Sequence, residues 1–494
     1  MPSLSTVTGR IARTRNRLVG LRSTHGSVGK EGLAFYFRAV ALARPDGGTA
    51  LASSAPDVGI GRSRVGVFRD IPPVDHEARI GADTWRASQD MSVTDAAKAA
   101  CGLFTSSRRR SVVLGEVYDL AVLGLGAVGS AALWRAAVRG ARAVGIEKLK
   151  PGHSFGSSHG GSRIFRRLVV EGHQYVPLAR RSELLWRELE RVTGSRLLST
   201  TGGLIIGPFD SPLVMSALNA AELGDVEYSL LSNEELAARY PQHVNRSGDI
   251  AVYEPGAGVL NPEYSIRAAV SAARIAGADL VLGTRVLMLD DGGSTIVIRS
   301  ENDIVARARK VILSTGAWIG SHVPQVGLPL SVRRSPLVWF TPSKPSDYSP
   351  SVFPVFVRGG VINCWGIPDV DGRGVKIGVS GMASKRTLRS ADENNFPVDH
   401  SDLSLTKTTA AAAFPALVAQ HVMAEPCMDA YTPDGHFLLG ARRASPNIVL
   451  AGGFSGHGFK HATGSADVAV DLALEGRSTI PVKDFSPERF VSKS

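Results

Sequence analysis

A glycine-rich turn between two apolar segments constrains this chain more than any other stretch. The apolar run Asp119–Leu123 leads into Gly124, Gly126 and Gly129, and an alanine-rich segment of helical period follows. This pattern predicts a strand, a tight turn and a helix. Gly124 permits the turn, Gly126 lets the backbone approach a pyrophosphate, and Gly129 lets the helix pack closely on the strand.

The residues after the predicted helix complete a dinucleotide-binding pattern. The apolar run 141–146 ends in Glu147, about 20 residues past the glycines, where an acid holds a ribose 2′-OH and disfavours a 2′-phosphate. The helix N-terminus offers N–H groups and a positive dipole end to the phosphates. Strand, glycines, helix, strand and acid in this order therefore predict a dinucleotide site rather than a packing turn.

The composition is that of a soluble globular protein, since 44% of the 494 residues are hydrophobic. No segment reaches the roughly 18 uninterrupted apolar residues of a membrane span. Only three cysteines occur, at positions 101, 364 and 427, so we expect no disulfide framework, a reducing compartment and a cytoplasmic location. We also expect no metal site.

The formal net charge of +11 does not indicate a nucleic-acid partner. Residues 1–117 contain 17 Lys and Arg against 10 Asp and Glu, which leaves only +4 for the other 377 residues. The first 116 residues are rich in Gly, Ser, Arg and Pro and lack helical or strand periodicity, so we predict a poorly ordered N-terminal extension. Its basic start is similar to a transit peptide, and the alternative is an extension without function.

The rest of the chain alternates between two kinds of segment. Residues 117–200, 261–327 and 431–490 have the strand and helix patterns of a dinucleotide-binding domain. Residues 201–260 and 328–430 contribute a second domain, in which strands rich in β-branched and aromatic residues predict an antiparallel sheet. The predicted fold class is therefore α/β, or α+β overall, with a Rossmann-like domain interleaved with a sheet domain.

Cationic side chains gather directly after the second predicted strand. The loop 153–167 contains His159, Arg163 and Arg166, and a guanidinium group is suited to bidentate capture of a carboxylate or phosphate. The alternative is that these arginines coat a surface or hold local carboxylates.

Three further residues stand out by their sequence context. Cys427 is either a small buried hydrophobe or a reactive thiol. Lys376 interrupts an apolar strand, so it either points to solvent or lies in a functional cavity, because an unpaired buried lysine is costly. Lys460 follows a glycine-rich loop before a helix and is either an ordinary surface lysine or a site residue.

From about residue 117 to residue 490 the chain resembles the flavin-dependent amine oxidases of the monomeric sarcosine oxidase and N-methyltryptophan oxidase family, within the D-amino-acid-oxidase-like superfamily. Four separated blocks carry the resemblance in order: Gly124–Glu147, Gly156–Arg166 with Glu171-Gly172 and Tyr175–Leu178, Cys427–Asp434, and Gly453–Lys460. The first 116 residues lie outside it.

The resemblance implies FAD, with its pyrophosphate at Gly124, Gly126 and Gly129 and its adenosine ribose on Glu147. The flavin would be joined through its 8α carbon to the sulfur of Cys427. The Rossmann-like segments then form the FAD-binding domain and the sheet segments the substrate-binding domain.

The same resemblance implies roles for the cationic residues. Arg166 and Lys460 match the pair that grips the substrate carboxylate, and Lys376 matches the lysine over the flavin that assists oxygen reduction. The residues that match the lining of the flavin ring are His159, Ser162 and Arg163. The chain departs from the family at two substrate-facing positions, with Trp365 in place of a tyrosine and Ser380 in place of a frequent histidine.

These observations predict a monomeric FAD enzyme that oxidises the secondary amine of an N-methyl or cyclic amino acid to an imine, with O2 reduced to H2O2. No general base is obvious, and none is needed if the amine binds neutral. Alternatives are a related dehydrogenase that uses another electron acceptor, a non-catalytic nucleotide-binding protein, and an NAD-dependent Rossmann enzyme. We expect no nucleic-acid or membrane partner.

Overall fold

The computed structural model describes residues 116–490, except residues 302, 323–326 and 382–384. The predicted N-terminal extension lies outside the described residues. The strands are β1 (Val117–Leu123), β2 (Ala143–Glu147), β3 (Arg163–Phe165), β4 (Leu198–Thr200), β5 (Gly203–Pro208), β6 (Ser229–Leu231), β7 (Asp249–Glu254), β8 (Gly258–Leu260), β9 (Asp279–Leu282), β10 (Met288–Asp291), β11 (Ile296–Arg299), β12 (Ile304–Leu313), β13 (Ser331–Arg334), β14 (Leu337–Pro342), β15 (Val355–Arg358), β16 (Cys364–Ile367), β17 (Val375–Val379), β18 (Thr387–Leu388), β19 (Leu417–Glu425), β20 (Met428–Tyr431), β21 (Leu438–Arg442) and β22 (Ser445–Gly452).

The helices of the described residues alternate with these strands, so the mixed α/β class predicted from the sequence is confirmed. They are α1 (Ala127–Val138), α2 (Val176–Thr193), α3 (Pro212–Gly224), α4 (Asn233–Arg239), α5 (Pro262–Ile275), α6 (Ile319–His322), α7 (His400–Ala413) and α8 (Ala462–Leu474). Within the described part of the chain, no helix combines the length and the apolar character needed to span a membrane.

The first large sheet contains the glycine turn. Its strands follow the order β10-β11-β12-β1-β2-β9, and β22 and β21 extend it beside β12. The pairs of β1 with β2, β1 with β12, β2 with β9 and β12 with β22 are parallel. Because these strand pairs are parallel, the carboxyl ends of β1, β2, β12 and β22 meet at one edge of the sheet. Helices α1, α5 and α8 pack together in the core on one face of the sheet.

The second large sheet has the order β19-β14-β17-β16-β15-β5-β7-β6. All its pairs are antiparallel except the parallel pair of β15 with β5. A core rich in aromatic side chains, including Phe340, Phe353, Phe356 and Phe414, packs on this sheet. Two small sheets, with orders β18-β13-β20 and β3-β8-β4, carry the loops that approach the cavity described below.

Helix α4 is capped by Ser232, which forms a capping box with Glu235. One element differs from the sequence expectation. Helix α7 lies inside the region 328–430 that the pattern predicted as sheet. Its alanine-rich end, from Thr408 to Ala413, has no helical apolar stripe, so the hydrophobic pattern did not reveal it.

Candidate functional site

The glycine turn has the geometry that its spacing predicted. Gly124 has a φ of +83°, which favours glycine, and its N–H donates to Ile146 O at 2.9 Å. A Cβ atom added to Gly129 would lie 1.8 Å from Gly124 O, so α1 can approach β1 only with glycine there. At Gly126 the added Cβ would meet no atom within 4 Å, because this residue faces a cavity.

The carboxylate of Glu147 stabilises the same turn. Its Oε2 accepts from Leu125 N at 2.8 Å, and its Oε1 accepts from Leu149 N at 2.9 Å. The residue is the last of β2 and is buried, and it lines the cavity beside Gly124 and Gly126. Both oxygens retain lone pairs that a ribose hydroxyl can use.

Cys427 also lines the cavity and directly precedes β20. Its buried sulfur is 3.9 Å from Arg163 Nη2, and His159 lies beside it with Nδ1 3.3 Å from Glu425 Oε2. Burial alone would lower the pKa of His159, but the Cys427 sulfur and the Glu425 carboxylate raise it to about 9. Burial would raise the pKa of Cys427, but His159 and Arg163 lower it. The thiolate, which is the nucleophilic form, is therefore favoured.

Arg166 and Lys460 meet at one carboxylate oxygen. Arg166 Nη2 and Lys460 Nζ each lie 2.8 Å from Glu171 Oε1, although Lys460 is 289 residues away from Glu171 in the chain. Burial would raise the pKa of Glu171, but the two cations hold it well below its usual range. Burial lowers the pKa of Lys460 to about 8, against the opposing effect of Glu171. The two cations therefore converge on one carboxylate oxygen.

Lys376 is fully buried behind the wall of the cavity. Its ammonium donates to Gly160 O at 2.6 Å, to Ser162 Oγ at 2.7 Å and to Ser162 O at 3.1 Å. It also lies 4.8 Å from the ring centre of Trp339. Burial, and then the charges of Arg163 and Arg373, lower its pKa well below the usual range. The hydrogen bonds from Lys376 Nζ hold the loop that carries His159 and Arg163.

A single cavity of about 1280 Å³ connects the glycine turn with the cationic residues. This volume exceeds the ~300–1,000 Å³ of a site for one drug-sized ligand. The sequence-predicted site residues that line it are Gly124, Gly126, Glu147, Arg163, Arg166, Trp365, Ser380, Cys427 and Lys460. Those that lie outside its lining are Gly129, His159, Ser162 and Lys376.

Sequence reasoning assigned no role to two acids that hold the site residues. Glu171 bridges Arg166 and Lys460, and Glu425 contacts His159. Glu171 was visible in the sequence only as part of the block after Arg166. Glu425 is the last residue of β19 and precedes Cys427 by two residues. This spacing does not indicate that Glu425 contacts a histidine.

Comparison with known proteins gives a consistent result. A model of the family described as FAD dependent oxidoreductase matches residues 119–472. Monomeric sarcosine oxidase of Streptomyces avermitilis is 32% identical over 388 residues, which are 77% of this chain and 99% of that protein. N-methyl-L-tryptophan oxidase of Yersinia pestis is 27% identical over 378 residues, covering 76% of this chain and 99% of that protein.

Among solved structures, the L-proline dehydrogenase of P. horikoshii is similar with a TM-score of 0.65 and 22% identity. The match covers 76% of this chain and 98% of that one. At this identity the likeness concerns the fold. The family resemblance predicted from the four sequence blocks is confirmed by the sequence comparisons.

Proposed function

Because the chain belongs to the FAD-dependent oxidoreductase family, we propose that it oxidises the secondary amine of an N-methyl or cyclic amino acid to an imine, with O2 reduced to H2O2. The relatives named monomeric sarcosine oxidase and N-methyl-L-tryptophan oxidase support this substrate class. The proposal includes action as a monomer and the division of the chain into an FAD-binding and a substrate-binding domain.

The convergence of Arg166 and Lys460 carries this proposal. Both cations lie on the cavity that also contains the glycine turn and Cys427, and both already hold the carboxylate of Glu171. A site that holds one carboxylate between a guanidinium and an ammonium suits the carboxylate of an amino acid. This supports a substrate held by its acid group.

The residues of the glycine turn fit FAD. At Gly126 the absence of a side chain leaves part of the cavity open for the pyrophosphate. Helix α1 begins at the next residue, so its N-terminus faces this space. The Glu147 carboxylate would hold the adenosine ribose. When bound, the flavin of FAD would accept a hydride from the carbon beside the amine and pass the electrons to oxygen.

The protein residues would position the substrate and prepare the thiol. Arg166 and Lys460 would orient the carboxylate, and Trp365 and Ser380 would line the space for the rest of the amino acid. We propose that the Cys427 sulfur is the covalent attachment point of the flavin, which its lowered pKa supports. Lys376 would influence the flavin site through the backbone loop 160–162, which its Nζ holds by hydrogen bonds. Arg163, Ser162 and His159 would border the flavin.

The test is oxidation of sarcosine, N-methyl-L-tryptophan and L-proline by the FAD-loaded protein. We expect hydrogen peroxide in proportion to the amine consumed. Reduction of an artificial dye without peroxide in air would instead identify a dehydrogenase, and no turnover of any N-alkyl or cyclic amino acid would contradict the proposal. Arg166→Gln should raise KM by about 100-fold or more because a charged hydrogen bond to the substrate is lost.

Arg167→Gln is the matched control for this arginine. Its guanidinium contacts Glu183 at 3.3 Å, away from the Glu171 site, so KM should change less than about twofold. For the covalent link, the yellow colour should stay with acid-denatured native protein and leave Cys427→Ala. The control Cys364→Ala changes a cysteine buried in β16 and should keep the colour.

A further inference from the structure

Asp429 lies on the cavity wall two residues after Cys427. Side chains two apart on a strand point to the same face, so Asp429 and Tyr431 share one face of β20, and Cys427 directly precedes this strand. All three residues line the cavity. In extended backbone the Cα atoms of Cys427 and Asp429 lie about 7 Å apart.

Asp429 differs from the other acids of this cavity in having no partner. Its carboxylate makes no hydrogen bond or ion pair with any of the described residues, whereas the other acids are engaged. Those acids and their partners are Glu147 with Leu125 and Leu149, Glu171 with Arg166 and Lys460, Asp392 with Trp318, Asp402 with Arg334, and Asp434 with Arg489. A carboxylate left unpaired in a cavity wall is available to a ligand.

The Asp429 carboxylate approaches the loop that carries Lys460. A Cβ atom added to Gly456 would lie 3.8 Å from Asp429 Oδ2, and the next residue, His457, accepts from Lys460 Nζ at 3.2 Å. Asp429 therefore lies near the start of the loop that leads to Lys460. In an α-amino acid the nitrogen is two bonds from the carboxylate carbon, so it must lie close to that lysine.

Two cationic side chains, Lys385 and Arg333, belong to the surroundings of Asp429. Lys385 Nζ lies 5.6 Å from the ring centre of Tyr431. Burial would lower the pKa of Lys385, but Tyr431 and Asp429 raise it. Arg333 is opposite Asp429 on β13, and its guanidinium donates to Ser331 Oγ and Lys385 O.

We propose that Asp429 binds the positively charged nitrogen of the substrate, so that the cavity selects the zwitterion of the amino acid, and that the nitrogen passes one proton to the Asp429 carboxylate before the carbon beside it is oxidised. This inference rests on the proposed function, because the carboxylate end of the zwitterion is assigned to Arg166 and Lys460. The negative Asp429 and the two cations then match the two opposite charges of the ligand. A carboxylate ligand without a positively charged nitrogen would contact Arg166 and Lys460 but would lack the interaction with Asp429.

Two ligands of nearly the same shape test the inference without turnover. Betaine carries a permanent positive nitrogen, and 3,3-dimethylbutanoate has a neutral carbon at that position. Their dissociation constants are measured on FAD-loaded protein by calorimetry. Native protein should bind betaine at least tenfold more tightly than 3,3-dimethylbutanoate. In Asp429→Asn, betaine should weaken at least tenfold while 3,3-dimethylbutanoate changes less than twofold.

Asp392→Asn is the matched control, since it removes another carboxylate of the same cavity and should keep the preference for betaine. Asp429→Ser is a second variant, and like Asp429→Asn it should bind betaine no more tightly than 3,3-dimethylbutanoate. An unchanged betaine preference in both Asp429 variants would overturn the inference while leaving the proposed function intact. Failure of native protein to bind either ligand would overturn the carboxylate site and this inference together.

Discussion

At the residue scale, the glycines of the turn differ in what a side chain would meet. A methyl group at Gly129 would overlap Gly124 O and the Ser314 side chain, whereas a methyl group at Gly126 would enter open space. Gly126 has a φ of −70°, which any residue can adopt. Gly129 is therefore required for the packing of α1 on β1, and Gly126 keeps the cavity open.

Substitution separates these two roles. We expect Gly129→Ala to lower folding stability by about 2–4 kcal/mol or to prevent folding, because the backbone contact cannot relax cheaply. Gly126→Val should keep the free energy of unfolding of the apoprotein within about 1 kcal/mol and abolish FAD binding. Chemical denaturation and FAD titration measure the two effects. Tight FAD binding by Gly126→Val would contradict this assignment.

The second residue-scale prediction concerns Lys460. Because its pKa is lowered to about 8, its ammonium is charged below that pH and neutral above it. The affinity for 3,3-dimethylbutanoate should therefore fall several-fold as the pH rises through about 8, while Arg166 retains its charge. Lys460→Met should bind the ligand weakly with a flat profile over this range. Glu171→Gln should move the midpoint to lower pH, because the opposing charge is removed.

At the element scale, three helices are joined at one buried acid. Asp467 of α8 accepts from Arg135 of α1 at 2.8 Å and from Arg181 of α2 at 2.7 Å, and Arg139 lies 2.5 Å away. Burial would raise the pKa of Asp467, but the hydrogen bonds from Arg135 and Arg181 lower it. The carboxylate therefore fixes the helices that hold the glycine turn against the Lys460 loop.

Asp467→Asn should lower the free energy of unfolding by about 2 kcal/mol at neutral pH, because three partly buried guanidinium groups lose their counter-charge. The contribution is present above the unfolded pKa of about 3.9 and is lost as the pH falls through the lower folded pKa. Urea denaturation of native and variant protein should therefore converge in acid. Glu475→Gln, on the exposed end of α8, should have little effect.

At the scale of the whole molecule, the FAD-dependent part begins at β1. The match to the family starts at residue 119, and relatives that match over nearly their full length cover about three-quarters of this chain. A chain that starts at Glu116 should bind FAD within about twofold of the full chain and gain the same thermal stability from it. Thermal denaturation with and without FAD measures this. Loss of FAD binding in the shorter chain would assign residues 1–115 to the site.

Local chemistry explains what was predictable from the sequence. The positive φ of Gly124, the period-2 and period-3.6 patterns around it and the acid at Glu147 depend on neighbouring residues, so the strand, turn and helix were predicted with nearly correct bounds. The order of the four family blocks can also be read from the sequence, so the family could be predicted without the structure.

The sequence by itself determined the α/β class, the dinucleotide turn and the family. The tertiary structure decided which charges meet: Glu171 lies between Arg166 and Lys460, and His159 lies between Glu425 and Cys427. It also buries Lys376 behind the cavity wall and leaves Asp429 without a hydrogen bond or ion pair to any described residue. Contacts between residues hundreds of positions apart depend on how the sheets and helices pack. No local pattern encodes that packing, so the pairing of the site charges became visible only in the folded chain.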